Sequence, residues 1–572
     1  MKRPLMFSLM FGSWIVCLLY FDPRLLALLI GPESIAAKSL LILFILFLNI
    51  FWFYVFFHLV IVSFSYFLGK NSYSHHAAPQ SSKFQNGVDK VHQPKVALLY
   101  TTCNDFQEEA AVTHLRQNYA KYHLFVLDDS SNLDYKNRVD EFAKRFPSHV
   151  TVIRRENKTG FKAGNVNYAL RNLRHDYEYF SVSDSDTQLP PNYISDLLPF
   201  VLNRGIAFAQ STQLSNAKEQ TPFAEFMRIN TDLHFRHYAS AKNRYGFVMW
   251  YGHGALMRMD AWEKAGGFPE IATEDLAFSM RIRQAGFEGV FVGNVACTED
   301  FPPSYRQYRK RNEKWIRGTA ECLLKFYPSF VKARHIPWFE KADVLVSGIS
   351  LLLDLPFVSL LFLVGILLPF FFCEFQFQAA MFKMPVFEGK TPLAILTQLK
   401  SNLFYSWDVY ILLLASIFAP LIPAIIDYIR QPKQLLKYLG AYIYCFFALQ
   451  IVSSINLAAF LFTKKSVFPI TGDQTNTEYG QQNYLSLRDI FSGSHANHRC
   501  VFLTETLMGI FFCIVTISTQ NIWFLPISFA LALSPYVFKL NLDVKLMRFF
   551  IFMPFIITLG IVYFITKSLS KV

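Results

Sequence analysis

Two blocks of long apolar sequence bracket a polar stretch of ordinary composition, and no other feature limits the chain as strongly. Leu5–Phe21 and Ser39–Leu68 lie ahead of the polar stretch. Leu345–Cys373, Trp407–Ile426, Tyr438–Phe462, Cys500–Thr519, Ile522–Phe538 and Met547–Ile565 follow it. A bilayer crossing needs ~20 predominantly apolar residues, and the first two runs each reach spanning length. Only 17% of the 572 residues are charged, against ~25% in an ordinary soluble domain. Mean hydropathy is +0.25. Disorder, a coiled coil and a purely soluble enzyme are excluded; a polytopic membrane protein with a polar insert fits.

The spacing predicts residues 1–68 as two transmembrane helices and 69–93 as a Ser/His/Gln-rich linker. Residues 94–341 form a soluble domain, and 342–572 a second membrane block. The first run follows Lys2 and Arg3, has no small-residue cleavage site before Asp22, and is succeeded at once by another, so it reads as a retained anchor. Basic flanks place the N-terminus inside, and two crossings return the polar insert to the cytoplasm. A bacterial inner membrane or a plasma membrane is the expected location, with membrane lipids as partners. The excess of 55 Lys and Arg over 42 Asp and Glu suits cytoplasmic flanks or an anionic substrate. The basic residues are scattered without a reader motif, so no nucleic-acid partner is expected. Eight single cysteines without a CxxC pair suggest neither a structural zinc nor a disulfide framework.

Within the insert, short strands alternate with helical stretches. Candidate strands are Val96–Thr101, Leu124–Asp128, Val150–Arg154, Tyr179–Ser183 and Ile206–Gln210; candidate helices include Glu108–Tyr119 and Gly164–Leu173. The alternation predicts a mostly parallel α/β sheet, whose ligands sit beyond the carboxyl ends of the strands. Acidic clusters fall at those ends. Asp128-Asp129-Ser130 closes one strand and Asp184-Ser185-Asp186 another. Carboxylates one residue apart can share a divalent cation that also holds phosphate oxygens, although Asp and Ser also favour plain turns. Thr273-Glu274-Asp275 opens an amphipathic run. It reads equally as a helix cap and as a general base at a helix start. Arg311 to Gly318 is cationic and aromatic. It suits either an interfacial helix or a clamp for a diphosphate beside a sugar-stacking indole.

The ordered set of motifs resembles the inverting family 2 glycosyltransferases, in particular the membrane-embedded cellulose synthase-like branch of processive β-glycan synthases. The matching segments are Thr101-Thr102-Cys103-Asn104-Asp105, Asp128-Asp129, Lys162-Ala163-Gly164-Asn165, Asp184 with Asp186, Gly266-Gly267-Phe268, Thr273-Glu274-Asp275, and Arg311 to Trp315. The resemblance covers about residues 94–320. It implies a GT-A (Rossmann-like) cytoplasmic domain between two blocks of transmembrane helices. It also implies a hexosyltransferase that moves sugar from a nucleotide-sugar, a UDP-sugar above all, to a growing β-linked polysaccharide and exports the polymer. Transfer of one sugar to a membrane lipid is the alternative. By the same resemblance, Asp105, Asp128, Asp129, Lys162, Asp184, Arg311 and Lys314 line the donor pocket. Asp186 holds Mg²⁺ or Mn²⁺, Asp275 is the general base and Trp315 supports the acceptor sugar.

Two positions depart from the family pattern: Arg311 replaces the usual Gln, and Lys314 the usual Arg. Lysine keeps the charge but loses the bidentate fork, so diphosphate binding is expected to lean on Arg311 or Arg317. Phe468-Pro469-Ile470-Thr471-Gly472-Asp473 resembles the gating loop of processive synthases, with Asp473 in place of Lys. Phe468 and Thr471 would then belong to a cytoplasmic lid at about 464–498. A cytoplasmic lid requires Tyr438–Phe462 to be re-entrant or interfacial, which suits its Gln450, Ser453, Ser454 and Asn456. That leaves seven crossings. Asp354, inside an apolar run, is expected to mark a helix break at Asp354-Leu355-Pro356.

Overall fold

The computed structural model describes residues 2–27, 34–69, 93–216, 221–363, 418–464, 499–518 and 525–540, with residues 29, 367, 412 and 415. The polar insert folds around a seven-stranded mixed sheet. Its strands are β1 (Val96–Thr102), β2 (Tyr122–Asp128), β3 (Val150–Ile153), β4 (Tyr179–Ser183), β5 (Ile206–Ser215), β6 (Ala255–Arg258) and β7 (Glu288–Glu299). They lie in the order β3-β2-β1-β4-β6-β5-β7. β1 to β4 are mutually parallel, while β6 runs antiparallel to both β4 and β5; β7 is parallel to β5.

The central strands are buried on both faces and read as near-continuous apolar runs, as parallel strands under helices do. Leu98, Tyr100, Leu124 and Val126 pack with Phe142, Tyr193 and Leu197 in one cluster. Leu99, Leu127, Phe180 and Val182 join Val166, Trp250, Trp262, Phe268 and Phe278 in another. Every strand expected from the sequence is present, β5 being longer by five residues. β6 and β7 were not expected. β6 is only four residues long, and β7 carries Gly289 and Gly293 in place of a clean alternation. Its register against β5 jumps from Val292 to Ala296, a bulge of the kind that re-aims a strand next to a site. The first expected helix is shorter, Glu108–His114, and the second begins earlier, at Phe161.

Among the described residues, three helices are long and apolar enough to cross a membrane by length and composition: Leu5–Pro23, Ile35–Phe67 and Pro432–Thr463. A fourth candidate is the pair Trp338–Ser350 and Asp354–Phe362, bent by 56°. The break lies at Leu351–Leu353, just ahead of the expected step: Asp354-Leu355-Pro356 opens the second helix instead of interrupting one.

Pro432–Thr463 corrects the re-entrant reading, because it is one unbroken helix of 32 residues. Its polar side chains do not serve an opened backbone. Gln450 and Ser454 donate to carbonyls of their own helix, those of Phe446 and Gln450, while Ser453 and Asn456 pair sideways with the helix Tyr305–Lys325: Asn312 donates to Ser453 at 3.0 Å, and Arg317 donates to Asn456 Oδ1 at 3.0 and 2.7 Å. The expected lid, with Phe468 and Thr471, lies outside the described residues, as do the run Met547–Ile565 and most of the segment between 363 and 418.

Candidate active site

The loops after β1, β2 and β4 meet at the carboxyl edge of the sheet. Asn104 joins the first two. Its Oδ1 accepts from the amides of Ser131 and Asn132 at 3.0 and 2.9 Å, and its own amide donates to Ser130 Oγ at 2.9 Å. Asp105 joins the first loop to the third, accepting from Cys103 N (2.7 Å), Thr102 Oγ1 (2.8 Å) and Ser185 Oγ (2.8 Å). Burial pushes its carboxyl up from the usual aspartate value, against these donors.

Asp128 is buried with both oxygens engaged, by Ser130 N at 2.9 Å and Arg154 Nε at 2.7 Å. Asp129 pairs with the fork of Arg155, Nη2 to Oδ2 at 2.7 Å. Arg155 also donates to the carbonyls of Thr159 and Phe161. The second aspartate thereby shapes the loop that leads into the helix Phe161–Leu173, with Lys162 in its first turn.

Lys162 Nζ bonds Asp184 Oδ1 and the carbonyl of Gly252, the latter at 2.9 Å. Burial alone would raise the Asp184 carboxyl, but Lys162 and His253 outweigh it and hold it down at about 2. Asp186 goes the other way. Burial, then Glu299 and Asp184, push it up to about 7.

Asp275 begins the helix Glu274–Gln284. Its Oδ1 accepts from Leu276 N at 2.8 Å. A methyl group on Gly252 would lie 3.9 Å from its Oδ2, so Gly252 has Lys162 on one side and Asp275 on the other. Burial raises the Asp275 carboxyl. The adjacent buried Glu274 rises to about 7, by burial and by Asp275, against Lys314 and Lys162. Gly266 and Gly267, both at φ +77°, turn the chain just ahead of this motif and let Phe268 enter the core. Asn167 secures that turn through both Phe268 backbone groups, at 2.8 and 2.9 Å.

The helix Tyr305–Lys325 closes the site. Burial lowers the ammonium pKa of Lys314, whose charge acts on Glu274, Asp184 and Asp275. It therefore faces Glu274, Asp275 and Asp184 together. The Arg311 guanidinium lies 4.7 Å over the Trp315 ring, covering one face of the indole. Arg317 does not reach the site: it is fully buried and bound to Asn456. The expectation that it contacts a diphosphate is therefore corrected. Thr273 Oγ1 donates to the Gly318 carbonyl at 2.8 Å. A side chain at 318 would meet Thr273 Cγ2 at 2.6 Å, so the helix lies directly against Thr273-Glu274-Asp275.

His253, Glu299 and Asp300 are members of this cluster that sequence reasoning missed. His253 pairs with Glu299 at 2.8 Å, both buried. The Asp300 amide donates to Asp186 Oδ2 at 3.2 Å. None belongs to a local pattern; the sheet alone brings 186, 253 and 299 together. Among the described residues, no three His, Cys, Asp or Glu side chains sit at metal-ligand spacing. The donor set nevertheless fits a hard cation. Asp186 is crowded by Glu299, Asp184 and Asp300, and carboxylates so crowded favour a cation that substrate phosphates help to hold.

A model of the glycosyl transferase family group 2 matches residues 179–463. The chain is 28% identical over 227 residues to a probable glucomannan 4-beta-mannosyltransferase 11 of Oryza sativa subsp. japonica, covering 38% of this chain and 39% of that protein. It is 26% identical over 230 residues to glucomannan 4-beta-mannosyltransferase 2 of Arabidopsis thaliana, covering 39% and 43%. The match thus spans less than half the length of these two relatives. Among solved structures, the mannosyltransferase PcManGT from Pyrobaculum calidifontis in complex with GDP-Man and Mn²⁺ aligns with a TM-score of 0.38 at 18% identity, over 63% of this chain and 99% of that one. S. aureus TarS aligns at 0.31 and 15% identity, over 45% and 43%.

Proposed function

For a chain that is a family 2 glycosyltransferase, homologous to the plant cellulose synthase-like glucomannan mannosyltransferases, we propose an inverting hexosyltransferase that extends a β-linked glycan and passes it across the membrane. Its catalytic domain faces the cytoplasm, between two blocks of membrane helices. One observation carries the reading: Lys162, Asp184, Asp275 and Lys314 come from four separate segments and act on one another at one place, where Lys162 bonds Asp184 and the Gly252 carbonyl and Asp275 Oδ2 lies on the other side of Gly252. In-line displacement needs that separation, with cations on the leaving side and a base on the acceptor side.

In this reading Asp275 takes the proton of the acceptor hydroxyl as that oxygen attacks the anomeric carbon. The bond from that carbon to the diphosphate breaks on the opposite face. Lys162 and Lys314 steady the diphosphate, and Asp105 and Asp129 shape the pocket for the nucleoside. A divalent cation at Asp186, Mg²⁺ or Mn²⁺, would supply charge to the departing diphosphate. Asp186→Ala is expected to abolish metal-dependent nucleotide binding. Normal joint binding of nucleotide and Mn²⁺ in calorimetry would remove Asp186 from the metal site.

The donor is a UDP- or GDP-linked hexose, and the names of the relatives, glucomannan mannosyltransferases, put a mannosyl donor first for trial. Membranes carrying the chain, supplied with radiolabelled GDP-mannose, UDP-glucose and UDP-N-acetylglucosamine in turn, test the reading. Polymer is the expected product, whereas a labelled lipid would establish the single-transfer alternative. That alternative draws on the Arg311–Trp315 stack, which leaves one indole face for an acceptor. Trp315→Ala is expected to cut elongation strongly, because misplacing a reacting group by about 1 Å can cost ~10²-fold. Donor binding should change little. Full specific activity per folded molecule, corrected by a thermal melt, would reduce Trp315 to an interfacial anchor.

A further inference from the structure

Glu299 ends β7, and its carboxylate is used on one side only. Oε2 pairs with His253 Nε2 at 2.8 Å. Oε1 is buried and has no hydrogen-bond partner among the described residues. A buried polar atom left without a partner is costly unless something else satisfies it.

The neighbouring acids are already engaged. Asp184 is bonded to Lys162. Asp300 accepts from Asn216 Nδ2 and, at 3.1 Å, from Gln107 Nε2. Glu299 is the acid of this group with a buried oxygen to spare. The backbone holds the two strand ends together. Gln188 and Thr298 exchange hydrogen bonds of 2.8 and 3.1 Å, and the Asp300 amide reaches Asp186 Oδ2 at 3.2 Å. On the far side, His253 is steadied by Thr187 Oγ1 at 3.4 Å, in the same loop as Asp186.

We propose that Glu299, through Oε1, is a second protein ligand of the divalent cation held at Asp186. The inference rests on the glycosyltransferase reading above. Hard cations such as Mg²⁺ are bound by one or two carboxylates plus phosphate oxygens and water. Two carboxylates, from the ends of β4 and β7, meet that requirement without a preformed three-ligand cage. His253 then acts as the outer partner that orients the ligating carboxylate, as hydrogen-bonded second partners do at metal sites.

The test titrates Mn²⁺ into the purified full chain with GDP and then with UDP, by calorimetry and by electron paramagnetic resonance. Nucleotide affinity is measured separately in chelator. Glu299→Gln should weaken Mn²⁺ binding by at least about 10-fold, the scale on which metal-site partners act, and leave metal-free nucleotide affinity unchanged. Glu299→Asp keeps the charge opposite His253 and withdraws the oxygen. It should fold, bind Mn²⁺ more weakly and alter the resonance of the bound ion. Wild-type Mn²⁺ affinity and spectrum in both variants, with binding lost in Asp186→Asn, would overturn the role of Glu299 alone. Failure of the unaltered chain to bind Mn²⁺ with either nucleotide would overturn the metal site as a whole, while product from the donor screen would still stand for the transferase reading.

Discussion

Asp275→Asn should slow sugar transfer by ~10²–10⁴-fold, the usual contribution of a general base, with nucleotide affinity nearly unchanged. The amide has the shape of the carboxylate but cannot accept the acceptor's proton. Asp275 Oδ1 is occupied by Leu276 N, so Oδ2, on the Gly252 side, is the oxygen left for the proton. The pH dependence carries the same signature. Burial raises the carboxyls of Asp275 and of Glu274 beside it. A base must be deprotonated to work, so kcat/KM should fall as pH drops through an apparent pKa above the ordinary aspartate value of ~4. That apparent value belongs to the pair. The acid limb should disappear from the residual rate of Asp275→Asn. Wild-type turnover in this variant, or an acid limb near pH 4 in the unaltered enzyme, would move the base elsewhere.

Glu505→Leu should destabilise the folded chain by about 3–5 kcal/mol, the cost of removing one partner from a buried ion pair. Glu505 lies in the helix Arg499–Ser518 and meets Arg309 Nη2 at 2.8 Å, the two side chains being 1% and 6% exposed. The double variant Arg309→Met with Glu505→Leu removes both charges and should regain most of the loss, since apolar replacements of similar volume often match a buried pair. Unfolding midpoints of the unaltered chain and the two variants in detergent measure both effects. Equal midpoints for the single and double variants would show that Arg309 does not depend on Glu505.

The membrane-length helices and the first five strands were legible because each has a strong local period or an unbroken apolar run. Tyr179–Ser183 emerged with the expected bounds because turn-forming residues close it. β6 and β7 were hidden for physical reasons. Four residues are too few to show alternation, and a strand with two glycines and a bulge shows none. Asp275 and Lys162 were legible through motifs of fixed spacing. His253 and Glu299, 46 positions apart, become neighbours only through the order of the strands. Arg317 misled for the opposite reason. One turn of helix separates it from Glu313, and the sequence does not say that its face is turned to Asn456. The polar residues of Pro432–Thr463 misled in the same way, suggesting an opened backbone where Ser453 and Asn456 serve a neighbouring helix and Gln450 and Ser454 bond to carbonyls of their own.

The contact of Thr273 with Gly318 bears on where the catalytic unit can be cut. A fragment ending after β7 would keep every strand yet leave the base motif without the surface against which it is packed. Extending the fragment to Lys325 would restore that surface, but it would lay bare the opposite flank of the same helix. There Arg309 and Arg317 would lose Glu505 and Asn456. Between those two cuts no boundary leaves both flanks covered. The sheet and the helices flanking Tyr305–Lys325 are therefore expected to behave as one piece, so that the whole chain, in detergent or a lipid disc, is the preparation in which both flanks stay covered.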